Sequence, residues 1–190
     1  MNHLLRERRG KTQPGIEPEP TVKHRADVAI RDAVPWIFMA ICVILLSAPT
    51  GLPGGPELMF GVSVGTVYFW SAHRPESMPS WAVFCIGLLA DLLSFGPPGT
   101  LLLSLLIVHG VAHTWRYGLR RINFIWGWGL MSVLALSLTL FQWVVACIGA
   151  LRPMSPVPSL FQAALAAGIY PTLSALFVWA HRTIVNPERA

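Results

Sequence analysis

The sequence predicts an all-α protein, a polytopic membrane helix bundle of six transmembrane helices with both termini inside. Three observations carry that expectation. The 190 residues are 54% hydrophobic and only 12% charged, with a mean hydropathy of +0.56, outside the range of an ordinary water-soluble domain of this size. Apolar runs near the roughly 17–25 residues that cross a hydrocarbon core about 30 Å thick recur six times, divided by turn signals. Basic residues and tryptophans, finally, segregate to one side of the alternation those runs create.

Residues 1–33 carry seven basic side chains (Arg6, Arg8, Arg9, Lys11, Lys23, Arg25, Arg31) and five acidic ones (Glu7, Glu17, Glu19, Asp27, Asp32), with Pro14, Pro18 and Pro20 among them. Such a segment is too polar and too broken to build a core, and it reads as a disordered, basic cytoplasmic tail. Its last part, RADVAIRDAV, suits a short interfacial helix leading into the membrane. The first apolar run starts only near Val34, behind this tail, so it is expected to be retained as a span and not cleaved as a signal peptide. A six-helix transmembrane domain over 34–185 follows, with spans at 34–52, 57–72, 80–96, 100–118, 122–150 and 160–183. TGLPGGP, HRPESMPS, FGPPGT and LRPMSPVPS separate spans by breaking helices. The second span is the weakest, since its 16 residues reach about 24 Å and Glu57 stands at its mouth. The fifth exceeds the required length and is expected to tilt. Pro171 should kink the sixth.

Orientation follows from two independent counts. With the N-terminus in the cytoplasm, 13 of 14 basic residues fall on the cytoplasmic side, Arg74, Arg116, Arg120, Arg121, Arg182 and Arg189 joining the tail, and only Arg152 falls outside. Seven of eight tryptophans (Trp36, Trp70, Trp81, Trp115, Trp126, Trp128 and Trp179) lie near the cytoplasmic ends of spans, Trp143 being the exception. Removing any one span would reverse the later loops and spoil both counts. The same clustering explains the net charge of +5 by membrane topology, without nucleic acid.

Within GLLADLLSFGPPGT, residues 87–100, Asp91 is the one acid well inside a span. A carboxylate at the bilayer centre costs about 2.5–3.5 kcal/mol on insertion scales, so an intramembrane acid must find a partner. Three readings stand: acceptor for backbone N–H groups freed at a helix end, contact with a partner protein's helix, or proton transfer. The first leads, because Asp91 lies in the outer half of its span and no second acid accompanies it. Pro97, Pro98 and Gly99 predict a tight reversal into the fourth span, and Gly96 suits a helix C-cap. His109 and His113, four apart, share a helix face; a metal would require further ligands, and hydrogen bonding between helices is the plainer role. Gly61 and Gly65 form G-x-x-x-G in the second span, with Ala164 and Gly168 a small pair in the sixth, expected to pack within the chain. Cys42, Cys85 and Cys147 are odd in number and lack C-x-x-C spacing, so neither a disulfide framework nor zinc is indicated. No nucleophile elbow, phosphate loop or carboxylate cluster appears. Neither catalysis nor a cofactor is expected.

The second span ends in VYFWSAHRPESMP and the third carries AVFCIGLLADLLSFGPPGTLLL. The Tyr-Trp pair, the Arg-Pro of the following loop, and G-L-L-x-D-L-L ahead of G-P-x-G resemble the rod shape-determining MreD family of bacteria. The resemblance maps onto Tyr68, Trp70, Arg74, Pro75, Gly87, Leu88, Asp91, Leu92, Gly96, Pro97 and Gly99 and covers about a third of the chain closely. It departs from the family in its long polar tail and in LRPMSPVPS. What it implies is a non-catalytic inner-membrane scaffold of the cell-elongation machinery that binds MreC and works beside MreB, RodA and a class B penicillin-binding protein. Asp91, Gly87, Gly96, Pro97, Gly99, Arg74 and Pro75, with Gly61 and Gly65, are then structural or partner-contact candidates. The alternative is the substrate-binding membrane subunit of an energy-coupling-factor transporter, also a six-helix protein of this size, which would need a polar pocket on the periplasmic side.

Overall fold

The computed structural model describes residues 22–48, 54–94, 96–119, 121 and 123–180. The chain divides into two units, Met1–Ile30 and Arg31–Ala190. All regular structure among the described residues is helical: α1 (Val22–Ser47), α2 (Gly55–His73), α3 (Ser80–Leu93), α4 (Thr100–Thr114), α5 (Arg116–Leu119), α6 (Phe124–Ala150) and α7 (Val157–Ala180), with a 3-10 turn at Pro75–Ser77.

The observed boundaries differ from the expected ones where local chemistry intervenes. α1 begins at Val22, inside the segment read as a disordered tail through residue 33. The Ala-containing RADVAIRDAV stretch, free of glycine and proline, propagates a helix well enough; residues 1–21 lie outside the described residues. Pro35 falls within α1. The fourth expected span breaks at Trp115, whose N–H still reaches the Val111 carbonyl, and the single turn α5 follows. α7 starts at Val157, earlier than expected, because Pro158 can occupy a first-turn position without losing a helical hydrogen bond.

α6 and α7, of 27 and 24 residues, are long and apolar enough to cross a membrane. The apolar helices Ala33–Ser47, α3 and α4 are shorter. The 14 and 15 residues of α3 and α4 rise about 21–23 Å, short of a core of about 30 Å.

In the second unit α2 lies between α4 and α7, α3 packs on α4, and α6 packs on α7. Every residue of α2 from Met59 to Ala72 is buried. This is the expected span whose sequence looks least like one. A helix enclosed by other helices needs small side chains for close approach, and α2 supplies Gly61, Ser63, Gly65, Thr66, Ser71 and Ala72 where an outer helix would carry leucine. α1 joins the same core through Met39 and Val43. Phe38 also meets Phe177 edge-on at 5.6 Å between ring centroids.

The outer helices show the inverse pattern. α6 buries only Met131, Ala135, Leu138 and Thr139, while Ile125, Val133, Val144 and Ile148 stand exposed. Meanwhile Ser63, Thr66, Ser71, Ser104, His109, Thr139 and Ser174 are buried. Large side chains outside and hydroxyls inside is the arrangement an apolar solvent favours, and exposed apolar area on this scale is a liability in water.

Candidate functional site

The turn between α3 and α4 is built around Asp91. Its Oδ1 accepts a hydrogen bond from the backbone N–H of Leu101 at 3.1 Å, and its Oδ2 accepts one from the N–H of Gly99. The first N–H groups of any helix lack intrahelical acceptors, and here the preceding helix supplies the carboxylate that an N-cap side chain would otherwise provide. The negative charge also sits at the positive end of the α4 dipole. The Asp91 carbonyl is used as well, accepting from the N–H and the hydroxyl of Ser94. Thus one residue closes α3 and opens α4.

The glycines of the turn divide the work differently from the expected way. α3 ends at Leu93 with Ser94 as an extended C-cap, and Gly96 does not adopt a positive φ. The expectation of a Gly96 cap is corrected: the Ser94 hydroxyl and the Asp91 carbonyl finish the helix before Gly96 is reached. The left-handed position is Gly99, at φ +83°, directly before α4. Pro97 accepts from the Thr100 hydroxyl through its carbonyl, 2.7 Å away. Gly99→Ala is therefore expected to lower stability by about 1–2 kcal/mol, the strain of a left-handed alanine, measured by unfolding in detergent; Gly96→Ala, which meets no atom within 4 Å, should change it little.

Two further glycines are contact points. A Cβ on Gly87 would stand 3.3 Å from the Leu102 Cα and closer still to its Cδ1, so Gly87 sets the approach of α3 to α4. A Cβ on Gly61 would stand 3.0 Å from the Ala166 Cα, and one on Gly65 3.2 Å from Leu173 Cδ1, which places the G-x-x-x-G of α2 against α7. The small pair expected to pack in the last span does not: Ala164 is exposed and a Cβ on Gly168 meets nothing within 4 Å. The buried face of α7 runs through Ala163, Ala166, Tyr170, Leu173, Ser174 and Phe177 instead.

Tyr68, Trp70, Arg74 and Pro75 occupy the end of α2 and the turn after it. The Tyr68 hydroxyl donates to the Gly127 carbonyl at 2.9 Å, tying α2 to α6. Arg74 is the C-cap of α2, its N–H donating to the Trp70 carbonyl. Buried nearby, His109 of α4 is within 2.8 Å of the Ser71 hydroxyl through Nδ1 and within 3.0 Å of the Ser80 hydroxyl through Nε2. A neutral imidazole has one donor and one acceptor, so one serine donates to the ring and the other accepts from it. The ring thereby links α2, α3 and α4. His113 stands 5.8 Å from it between ring centroids, exposed. Among the described residues no group of three or more His, Cys, Asp or Glu side chains is placed to hold a metal. His109→Leu should destabilise by about 1–2 kcal/mol by leaving hydroxyls unmatched, and a double-mutant cycle with Ser71→Ala should recover a coupling between the two residues.

The serines were missed in the sequence, because a hydroxyl in an apolar run also satisfies itself on its own helix, as Thr66 does on the Val62 carbonyl. Gln142 of α6 donates to the Ser104 hydroxyl of α4 at 3.0 Å. It stands beside a cavity of about 420 Å³ at the Asp91 end, lined among others by Glu57, Gln142, Trp143, Ser155, Ser159 and Gln162. A larger cavity of about 750 Å³, with Tyr68, Phe69, His73, Phe124, Tyr170 and Trp179 in its walls, opens at the other end. No family model, curated protein or solved structure matches this chain.

Proposed function

We propose that this chain is a multi-pass protein of the bacterial inner membrane, with six spans and both termini cytoplasmic, serving as a non-catalytic scaffold of the cell-elongation machinery of the MreD type. The observation that carries the reading is where the motif residues lie. Gly87, Asp91, Pro97 and Gly99 hold two helices in a hairpin, Tyr68 ties the central helix to α6 and Arg74 caps it, so the residues of the resemblance serve the shape of the bundle. The apolar exterior of α6 supports the membrane setting. The short α3 and α4 fit a hairpin whose turn lies below the outer headgroups, where local thinning lets water reach the carboxylate.

In this reading the lateral helix surfaces receive the membrane helix of MreC, with MreB, RodA and a class B penicillin-binding protein in the same assembly. A tagged chain extracted in mild detergent is expected to bring MreC with it, and its depletion to round rod-shaped cells. Purification without MreC, together with depleted cells of normal width, would remove the scaffold reading. The cavity beside Gln142 favours one second reading, the substrate-binding subunit of an energy-coupling-factor transporter, because it offers a carboxylate, two amides and an indole at the expected periplasmic end. A ligand-dependent rise in melting temperature across a panel of vitamins would select that reading.

A further inference from the structure

α2 ends at His73 and Arg74 turns the chain into Pro75–Ser77. α4 ends at Thr114, and after Trp115 the next residue, Arg116, opens α5. These two helix ends frame a concave site of about 390 Å³ whose walls are His73, Arg74, Pro75, Glu76, Arg116 and Tyr117. Two arginines from separate helices thus line one cavity.

Arg74 Nη1 is buried and has no hydrogen-bond partner among the described residues. The usual partners of an arginine at a helix C-terminus are the last carbonyls of the helix, and Nη1 reaches none of them. A guanidinium is charged at any physiological pH and carries its donors in a rigid fork. A dry, unmatched donor on such a group is strongly unfavourable unless something else completes it. Arg116 is held in place by its neighbour: Nη2 donates to the Tyr117 hydroxyl at 3.1 Å, and the guanidinium carbon lies 4.8 Å from the Tyr117 ring centroid. Glu76 is the one acid in the wall; it is exposed, and its charge is therefore screened by solvent.

We propose that Arg74 and Arg116 form a binding site for a phosphate group, bridged between the two guanidinium forks. Planar forks match phosphate oxygens two at a time, which is why paired arginines recognise this group better than paired lysines. The phosphate is that of a lipid headgroup or of a soluble phosphate compound. The exposed Trp81 and Trp115, close by in the chain, suit the headgroup layer of a membrane, which favours the lipid. The site stands apart from the scaffold reading, since phosphate binding and MreC capture are read in different measurements.

The test uses the full chain purified in neutral detergent, with phosphatidic acid and diacylglycerol of the same acyl chains as probes, and native mass spectrometry as the readout. Only the phosphate differs between the two lipids. Phosphatidic acid is expected to be retained about tenfold more than diacylglycerol, and Arg74→Gln or Arg116→Gln to abolish most of that preference. Arg121→Gln, at an exposed arginine outside the cavity, should leave it intact. Arg74→Lys keeps the charge but not the fork and should fall between. If Arg74→Gln loses its unfolding transition, Arg116→Gln decides alone. Displacement of the lipid by millimolar inorganic phosphate would identify a site satisfied by free phosphate, and resistance to it one that requires the headgroup in its membrane. Equal retention of both lipids with no thermal shift in inorganic phosphate would overturn the proposal. So would an equal loss in Arg121→Gln, which would reveal a diffuse basic surface.

Discussion

Asp91→Leu is expected to lose most of its accumulation in the membrane, and what can be purified should unfold at markedly lower temperature or denaturant. The substitution strips the acceptors from two backbone donors at the start of α4. Each donor left unmatched costs about 1–3 kcal/mol, with the lower end applying to the exposed Gly99 N–H. Loss of a negative charge at the helix N-terminus adds about 0.3–1 kcal/mol. Asp91→Asn is the informative companion. Because the two carboxylate oxygens each take a different donor, an amide can serve one and must turn its NH2 toward the other, so Asn should fall about midway and not behave as wild type. Membrane abundance and reversible unfolding in micelles measure both variants. Wild-type stability in Asp91→Leu would show that the carboxylate does not hold the turn. Normal stability in Asp91→Asn with loss of a bound partner would move the residue to an interface.

Gly61→Leu should be comparably damaging for a different reason. The nearest obstacle to a Cβ at this position is the Ala166 Cα at 3.0 Å, and backbone cannot swing aside as a side-chain tip can. α2 and α7 must separate, so overpacking of about 1–3 kcal/mol is a lower bound. Gly65 differs instructively, since its first contact is the end of the Leu173 side chain at 3.2 Å, and Gly65→Ala should be tolerated better. Gly168→Leu, facing open space, should unfold with the wild type; if it fell as far as Gly61→Leu, the helix pairing described for α7 would be wrong.

Much of the fold was legible because helix breaks are written in proline and glycine. FGPPGT and LRPMSPVPS fall at the observed turns before α4 and α7, and α6 starts within two residues of its expected position. The start of α1 was not legible, since a charged stretch with helix-forming residues and a charged coil look alike by composition. The identity of the central helix was not legible either, and hydropathy pointed away from it. In a bundle with an apolar exterior, leucine and isoleucine mark the outside, while glycine, serine and threonine mark the middle. The role of Asp91 was partly legible: the absence of a second acid points to the helix ends, but the pairing of one oxygen with Gly99 and the other with Leu101 depends on how the folded turn places those N–H groups. The partners of His109 were hidden because Ser71 and Ser80 lie far from it in sequence.

The burial of α2 between α4 and α7 also has a meaning in time. Synthesis delivers α2 early and α7 last of the described helices, so the Gly61 face waits uncovered while everything between is made. During that interval the helix least able to persuade a bilayer by its own side chains has only part of its eventual surroundings. Nascent chains halted before α7 should therefore carry α2 in a form open to protease or to a thiol probe placed at Ser63, and that reactivity should vanish once α7 has left the ribosome. For this chain, completion of the core awaits the emergence of α7.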